Sequence, residues 1–310
     1  MRALSCHRQR GVALPLVLWA VFVVSTIVVV TLRMVDFDMD LEARSSKRFV
    51  ARQGALTGLA FALNPKVTRN DPLLTQTLPD GCKLDVTLVS EDARLNINKL
   101  LGDRNSTVLR NLFRLWGVPE KETAIAIDSL RDWVDGDNLR SLNGAEEADL
   151  KEGDFSLPEN RPFLRLSEME RVRGMDAIAR AKPNWKDYFS VKSSNVLDLQ
   201  DVSQDLLRVV AALGPDQARA IVDYRNGADR LPNTKDDKIL QSVEDIGRII
   251  PLQQAQSEVL QSSFGTGSTL RRIISRGTIG GMSHEIAVIA TIGADGGQAN
   301  QPVYVEWLEK

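Results

Sequence analysis

One uninterrupted apolar run dominates the start of the chain. From Val12 to Leu32 there are 21 residues without a charged side chain. At about 1.5 Å of rise per residue, a helix over this run matches the ~30 Å hydrocarbon core of a bilayer. Arg2, Arg8 and Arg10 precede the run, so the positive-inside rule predicts a cytoplasmic N-terminus. The pattern therefore predicts a membrane anchor, with the bulk of the chain on the far side of the membrane.

The pattern becomes amphipathic after the apolar run. Between residues 36 and 63 apolar residues alternate with basic ones at helical spacing, and Asn64-Pro65 ends the segment. We therefore predict that the membrane helix continues into the aqueous phase. Gly54 and Gly58 lie beyond the bilayer, so their four-residue spacing favours close packing of this helix on a sheet over a transmembrane dimer.

Strand-like alternation brackets a long helical block. Residues 83–89 alternate between polar and branched apolar side chains, a second short strand is predicted at 93–98, and strand character returns at 269–275, 284–292 and 302–308. The block between them has the helical period, with amphipathic segments predicted at 108–116, 123–134, 168–181, 202–213, 217–224 and 243–250. We infer an α+β fold in which one sheet, residues 80–98 and 268–310, is interrupted by a helical insertion, residues 99–267.

The junction between the basic leader and the apolar run carries a glycine, Gly11. This arrangement resembles the signal of type IV pilins and type II secretion pseudopilins, which prepilin peptidase cuts after the glycine. Cleavage would remove residues 1–11 and leave Val12 as the new N-terminus, with a helix over 12–64 of which 12–34 cross the membrane. An ordinary single-pass anchor with an incidental glycine is the alternative. Most pilins carry Glu at the fifth mature position, which here is Leu16.

Four segments, in the same order, are similar to landmarks of the general secretion pathway protein K family. They are Ala93–Asn98, Asp132–Asp137, Asn160–Phe163 and Leu166–Met169. The resemblance implies a pilin-like helix packed on an antiparallel sheet, with a large all-α domain inserted in that sheet. It also implies a structural subunit at the tip of the type II secretion pseudopilus, beside the minor pseudopilins I and J. Such a subunit is anchored in the inner membrane with its bulk in the periplasm. The missing Glu fits a tip position, where no subunit above needs its N-terminal amine neutralised.

Composition disfavours several other functions. The formal charge of −2 becomes −5 once the three leader arginines are removed, and an acidic exported chain is a poor candidate for binding nucleic acid. Cys82 and His284 are the single cysteine and histidine after cleavage, so an internal disulfide, a zinc site and a Ser-His-Asp triad have little support. We predict a protein that is not an enzyme.

Two acidic loops are candidate cation sites. Asp132, Asp135 and Asp137 lie at and beyond a predicted helix end, with Glu146 further on, and clustered oxygens suit Ca²⁺. A solvated acidic loop is the alternative, and the family resemblance favours calcium at Asp135, Asp137 and Glu146. A second loop, residues 227–237, offers Asp229, Asp236 and Asp237. There, a charged surface insertion is the favoured interpretation.

Residues 213–225 resemble a helix-hairpin-helix, a module that often grips DNA phosphates. Asp216 in the turn would repel phosphate, which favours a scaffold role. A minor pilin of a type IV pilus and a membrane-anchored DNA-binding protein using this hairpin remain alternatives, as does a tethered exported hydrolase.

Overall fold

The computed structural model describes residues 13–102, 106–145, 158–292 and 302–309. It contains one long N-terminal helix, a five-stranded antiparallel sheet and further helices. The predicted α+β class is confirmed.

Helix α1 spans Ala13–Ala62, 50 residues in a single element. Among the described residues it is the one helix long and apolar enough to cross a membrane, and none of its most apolar window is buried. Its last quarter behaves differently, because Ala51, Ala55, Leu59 and Ala62 are buried against the sheet. The apolar half therefore projects from the globular part as a bare helix.

The sheet has the strand order β1-β2-β7-β8-β9, and every neighbouring pair is antiparallel. Its strands are β1 (Thr75–Thr77), β2 (Lys83–Ser90), β7 (Leu270–Ile279), β8 (Met282–Thr291) and β9 (Val303–Glu309). The face towards α1 carries branched apolar residues at alternate positions, which form one core with the helix.

Glycines bring α1 unusually close to this sheet. A Cβ atom on Gly54 would lie 2.4 Å from Cys82 Sγ, and one on Gly58 would lie 2.4 Å from Ser275 Oγ. On the strand side, a Cβ on Gly277 would lie 2.1 Å from a backbone oxygen of α1. The predicted use of Gly54 and Gly58 in helix-on-sheet packing is confirmed, and Cys82 is fully buried in the contact.

The segment between β2 and β7 has its own hydrophobic core. Its helices are α2 (Ile97–Gly102), α3 (Ser106–Leu115), α4 (Glu120–Val134), α5 (Met175–Ala181), α6 (Gln204–Val210), α7 (Pro215–Arg225), α8 (Ile246–Ile249) and α9 (Gln254–Ser263). Two short parallel strand pairs accompany them, β3 (Leu95–Asn96) with β4 (Phe189–Ser190) and β5 (Leu197–Asp198) with β6 (Phe264–Gly265).

The insertion leaves and re-enters the sheet at the end farthest from the bare half of α1. Gly54 lies against Cys82 and Gly58 against Val86, so β2 runs in the same direction as α1. Strand β2 consequently ends at Ser90 beside the C-terminal end of α1, and β7 begins there. At about 1.5 Å per residue, α1 is about 75 Å long, which separates the insertion from the helix N-terminus.

Two local predictions were wrong. Residues 93–98 do not add a strand to the main sheet, because β3 pairs in parallel with β4 and a helix starts at Ile97. Residues 168–181 are not one helix but a 3-10 turn, Leu166–Arg171, followed by α5. The break includes Gly174, the residue directly before α5, whose φ of +87° is a left-handed conformation that a continuous helix excludes.

We predict that Gly277→Ala destabilises the protein by about 2 kcal/mol or more, because the new methyl group would displace α1 from the sheet. Thermal unfolding of the full chain in detergent, followed by circular dichroism, measures this. Gly247→Ala is the matched control, since nothing lies within 4 Å of its Cβ position. Equal melting temperatures for the two variants would show that the close contact contributes nothing.

Candidate assembly surface and acidic loops

The aqueous part of α1 keeps an uncovered apolar stripe. Phe37, Leu41 and Phe49 are all exposed, although they lie beyond the residues that would sit in a bilayer. Exposed aromatic residues at helical spacing indicate a surface that packs against another protein.

Strand β9 forms an edge of the sheet and is also apolar. Tyr304 and Trp307 pack against each other with ring centroids 5.8 Å apart, yet they remain 51% and 42% exposed. Trp307 pairs with Val288, a core residue facing α1, so this aromatic pair lies on the same side of the sheet as the helix. The sequence predicted a strand here and an uncovered apolar sheet edge, but it did not show that β9 forms that edge.

An ionic cluster fixes the end of β9 to α1. Arg52 on α1 forms an ion pair with Glu309, and His284 Nε2 lies 2.8 Å from Glu309 Oε1. The hydrogen bonds from Arg52 and then from His284 lower the pKa of Glu309 to about 2. The exposed aromatic edge is therefore held in a defined position beside α1.

Buried carboxylates join the insertion to the sheet. Asp201, from the insertion, forms a two-pronged ion pair with Arg69 in the loop after α1 and accepts the Ser90 amide at 2.6 Å. Glu91 is fully buried and pairs with Arg272 on β7 through contacts of 2.7 and 3.0 Å. Buried ion pairs of this kind hold the two segments tightly in position, because breaking a pair leaves a buried charge without its partner.

The first acidic loop, which follows α4, is held in place by two carboxylates of α4 that accept backbone amides. The sequence did not predict this structural role. Asp128 Oδ2 accepts the Asn143 amide at 3.1 Å, and Asp132, fully buried, accepts the Ser141 amide at 3.1 Å. A Cβ on Gly144 would lie 1.9 Å from Asp132 Oδ2, so the loop closes directly on this carboxylate.

The three predicted calcium ligands are not all within the described chain. Asp135 follows the last residue of α4, and Asp137 is exposed, with Oδ1 accepting the Leu139 amide at 2.8 Å. Glu146 lies outside the described residues. Among the described residues, no three His, Cys, Asp or Glu side chains are grouped so that they could hold a metal ion. Calcium stays a prediction.

The second acidic loop is organised by its own backbone. Asp236 Oδ2 accepts the amides of Ala228 and Asp229 at 2.5 and 3.0 Å, and Asp237 Oδ2 accepts the Asn233 amide at 2.8 Å. The backbone amide of Asp229 and the hydroxyl of Thr234 lower the pKa of Asp236 to about 2. Asp229 Oδ1 accepts a further amide of the same loop at 2.8 Å.

The hairpin between α6 and α7 offers little to a phosphate. The amide of Gly214, at the turn, already donates to Gln217 Oε1 at 2.9 Å, and Asp216 is exposed next to it. The cleavage residues Gly11 and Val12 lie outside the described residues.

The four landmark segments of the sequence converge around one loop of the insertion. Asn98 exchanges two hydrogen bonds with the backbone of Phe163, at 2.8 and 2.9 Å. Trp133 stacks on the Phe163 ring at 5.7 Å with the planes 9° apart, and Met169 is fully buried in the same core. Asn160 bonds Asn138 at 3.1 Å. Their side chains therefore act in packing.

This region of the insertion matches a known protein family. Residues 93–183, which contain all four segments, match the family model described as type II secretion system (T2SS), protein K. This chain is related to the protein K family. The resemblance predicted from the sequence is confirmed.

Two further likenesses extend beyond that region. The protein of Klebsiella pneumoniae named Type II secretion system protein K is 28% identical over an alignment of 200 residues, which covers 55% of this chain and 60% of that relative. A chain in the crystal structure of the GspK-GspI-GspJ complex from the enterotoxigenic Escherichia coli type 2 secretion system superposes with a TM-score of 0.59 at 16% identity. The superposition covers 90% of this chain and 99% of that one, which shows a shared fold.

Proposed function

We propose that this chain is a minor pseudopilin at the tip of the type II secretion pseudopilus, taking part in its assembly and in protein export across the outer membrane. Its role is assembly rather than catalysis. Helix α1 would hold the subunit in the inner membrane, with the globular part in the periplasm, and would then pack among the helices of the filament.

The observation that carries this proposal is the place of the insertion. It rises from the sheet end farthest from the bare half of α1, where a stacked subunit would otherwise sit. A subunit of this shape accepts neighbours on the membrane side and obstructs them on the other. The relation to protein K supports the same position.

Minor pseudopilins I and J are the partners we propose, meeting the chain along α1 and the β9 edge. The exposed Phe49 on α1 and the Tyr304–Trp307 pair support this surface, because aromatic anchors dominate the energies of protein interfaces.

We predict that the full chain co-purifies with I and J from detergent-solubilised membranes, and that Tyr304→Ala with Trp307→Ala weakens capture by about 2 kcal/mol, roughly thirtyfold in affinity. Leu142→Ala, which removes a 90% exposed leucine of the insertion, is the control and should leave capture unchanged. Failure of the unaltered chain to retain either partner would contradict the proposal, while capture only by type IV pilus subunits would favour the pilin alternative.

Processing by prepilin peptidase is the second part of the proposal. We predict that the protein extracted from membranes begins at Val12, and that Gly11→Val keeps the leader attached. Intact mass and N-terminal sequencing measure this, with cells lacking prepilin peptidase as the control. An intact Met1 in cells that contain the peptidase, or a cut beyond Met34, would exclude a pilin-type signal.

We further propose that Asp135 and Asp137, with Glu146, bind Ca²⁺ and stabilise the insertion. At a calcium concentration a hundredfold above Kd the stabilisation is about 2.7 kcal/mol, so EGTA should lower the melting temperature. Asp135→Ala with Asp137→Ala should abolish that response. Asp229→Ala with Asp237→Ala, in the second acidic loop, is the matched variant and should keep it. If the chelator response is lost only in Asp229→Ala with Asp237→Ala, the ion binds in the second acidic loop. If EGTA does not change the melting temperature of the unaltered chain, neither loop binds a stabilising calcium ion.

A further inference from the structure

A groove of about 240 Å³ lies where the insertion meets the sheet. It is bounded by the loop after α1, the end of β2, the start of β7 and the segment after the second acidic loop. Strand β8 lies between β7, which lines the groove, and the β9 edge. A filament built on the membrane side of this subunit would leave the groove open.

One wall of the groove carries a cation that lacks a partner in the described chain. Arg271, on β7, lines the groove, and none of the described residues forms a hydrogen bond or an ion pair with its guanidinium. Its neighbour Arg272 faces the other side of the sheet and is paired with the buried Glu91. Burial, followed by the charge of Arg69, lowers the pKa of Arg271.

The carboxylates near Arg271 are engaged elsewhere. Asp201 is held by Arg69 and by the Ser90 amide. Asp237, which lines the groove, accepts the Asn233 amide of its own loop at 2.8 Å. Asp198 accepts the amide of Gln200 at 2.9 Å, and burial raises the pKa of this carboxyl group, which disfavours its charged form. An incoming carboxylate would therefore find a guanidinium available without displacing an existing ion pair.

The other residues that line the groove indicate which further groups a ligand would carry. Val67, Leu88 and Leu240 supply an apolar wall, and Ile239 is 65% exposed at the rim. Apolar side chains and a carboxylate occur together in an acidic peptide.

We propose that this groove binds an extended acidic, apolar peptide segment of a partner protein, with its carboxylate on Arg271 and its apolar side chains against Val67, Leu88 and Leu240. The partner is one that reaches the membrane-distal end of the subunit. This inference does not depend on the proposed pseudopilus assembly, since the groove is complete within one chain.

The test uses the full chain in detergent and a fluorescein-labelled pentapeptide, Ser-Leu-Val-Leu-Glu with a free C-terminus, in fluorescence anisotropy. We expect saturable binding that weakens with salt. The matched peptide Ser-Leu-Val-Leu-Gln, amidated at its C-terminus, should bind at least about tenfold more weakly, because it lacks the charge-assisted hydrogen bonds.

Two variants test the assigned residues. Arg271→Gln should weaken binding of the acidic peptide by about tenfold or more, and Ile239→Asp should weaken it by placing a like charge at the rim. Arg276→Gln, on the same strand but paired with Glu285 away from the groove, is the control and should bind normally. The melting temperature of Arg271→Gln should not fall, because the charge of Arg271 is balanced between the repulsion of Arg69 and the attraction of Asp198 and Asp201, and no hydrogen bond or ion pair with a described residue is lost.

The proposal is overturned by any of three results: no saturable binding up to about 1 mM peptide, equal binding by the unaltered chain and by Arg271→Gln, or a lowered melting temperature for Arg271→Gln, which would give this arginine a structural role instead.

Discussion

The close approach of α1 to the sheet is the contact on which the rest of the molecule depends. Gly54 and Gly58 on the helix and Gly277 on the strand remove the side chains that would hold the two apart. The Ser275 hydroxyl then reaches the Ala55 carbonyl oxygen at 2.7 Å, which satisfies a buried polar group inside this contact. A 50-residue helix with a bare apolar half has few ways of being fixed to a globular body, and these residues provide one.

The insertion is joined to this platform by charge rather than by a continuous apolar core. The core of the insertion and the core under α1 are separate clusters. Between them lie Asp201 with Arg69 and Glu91 with Arg272, each pair drawn from different segments. Buried ion pairs are sensitive to geometry, so this junction holds the insertion in one orientation at the end of the sheet farthest from the bare half of α1. That orientation supports the proposed tip position and also shapes the groove beside Arg271.

The landmark segments are structural in nature. Asn98, Trp133 and Phe163 come from three separate segments and meet in one packed site, where an amide side chain supports the backbone of an otherwise irregular loop. This explains how such segments can mark a family through packing alone. The acidic residues of the neighbouring loop are partly used in the same way, since the Asp132 carboxylate accepts a backbone amide.

The sequence by itself determined the elements whose signal is periodic and local. The uncharged run, the amphipathic continuation of α1, the spacing of Gly54 and Gly58, and the alternation of the strands all follow from which residues must face an apolar environment.

Only the tertiary structure decided which apolar strand stays uncovered and which charged residue stays without a partner among the described residues. In the sequence, Trp307 has the pattern of a core residue, but in the structure no described helix or strand covers its face of β9. Arg271 and Arg272 are adjacent arginines on β7, and because side chains alternate along a strand they face opposite sides of the sheet. Which side holds a carboxylate depends on the pairing of β2 with β7, which brings Glu91, the residue after β2, beside Arg272; this long-range pairing is contained in no local pattern.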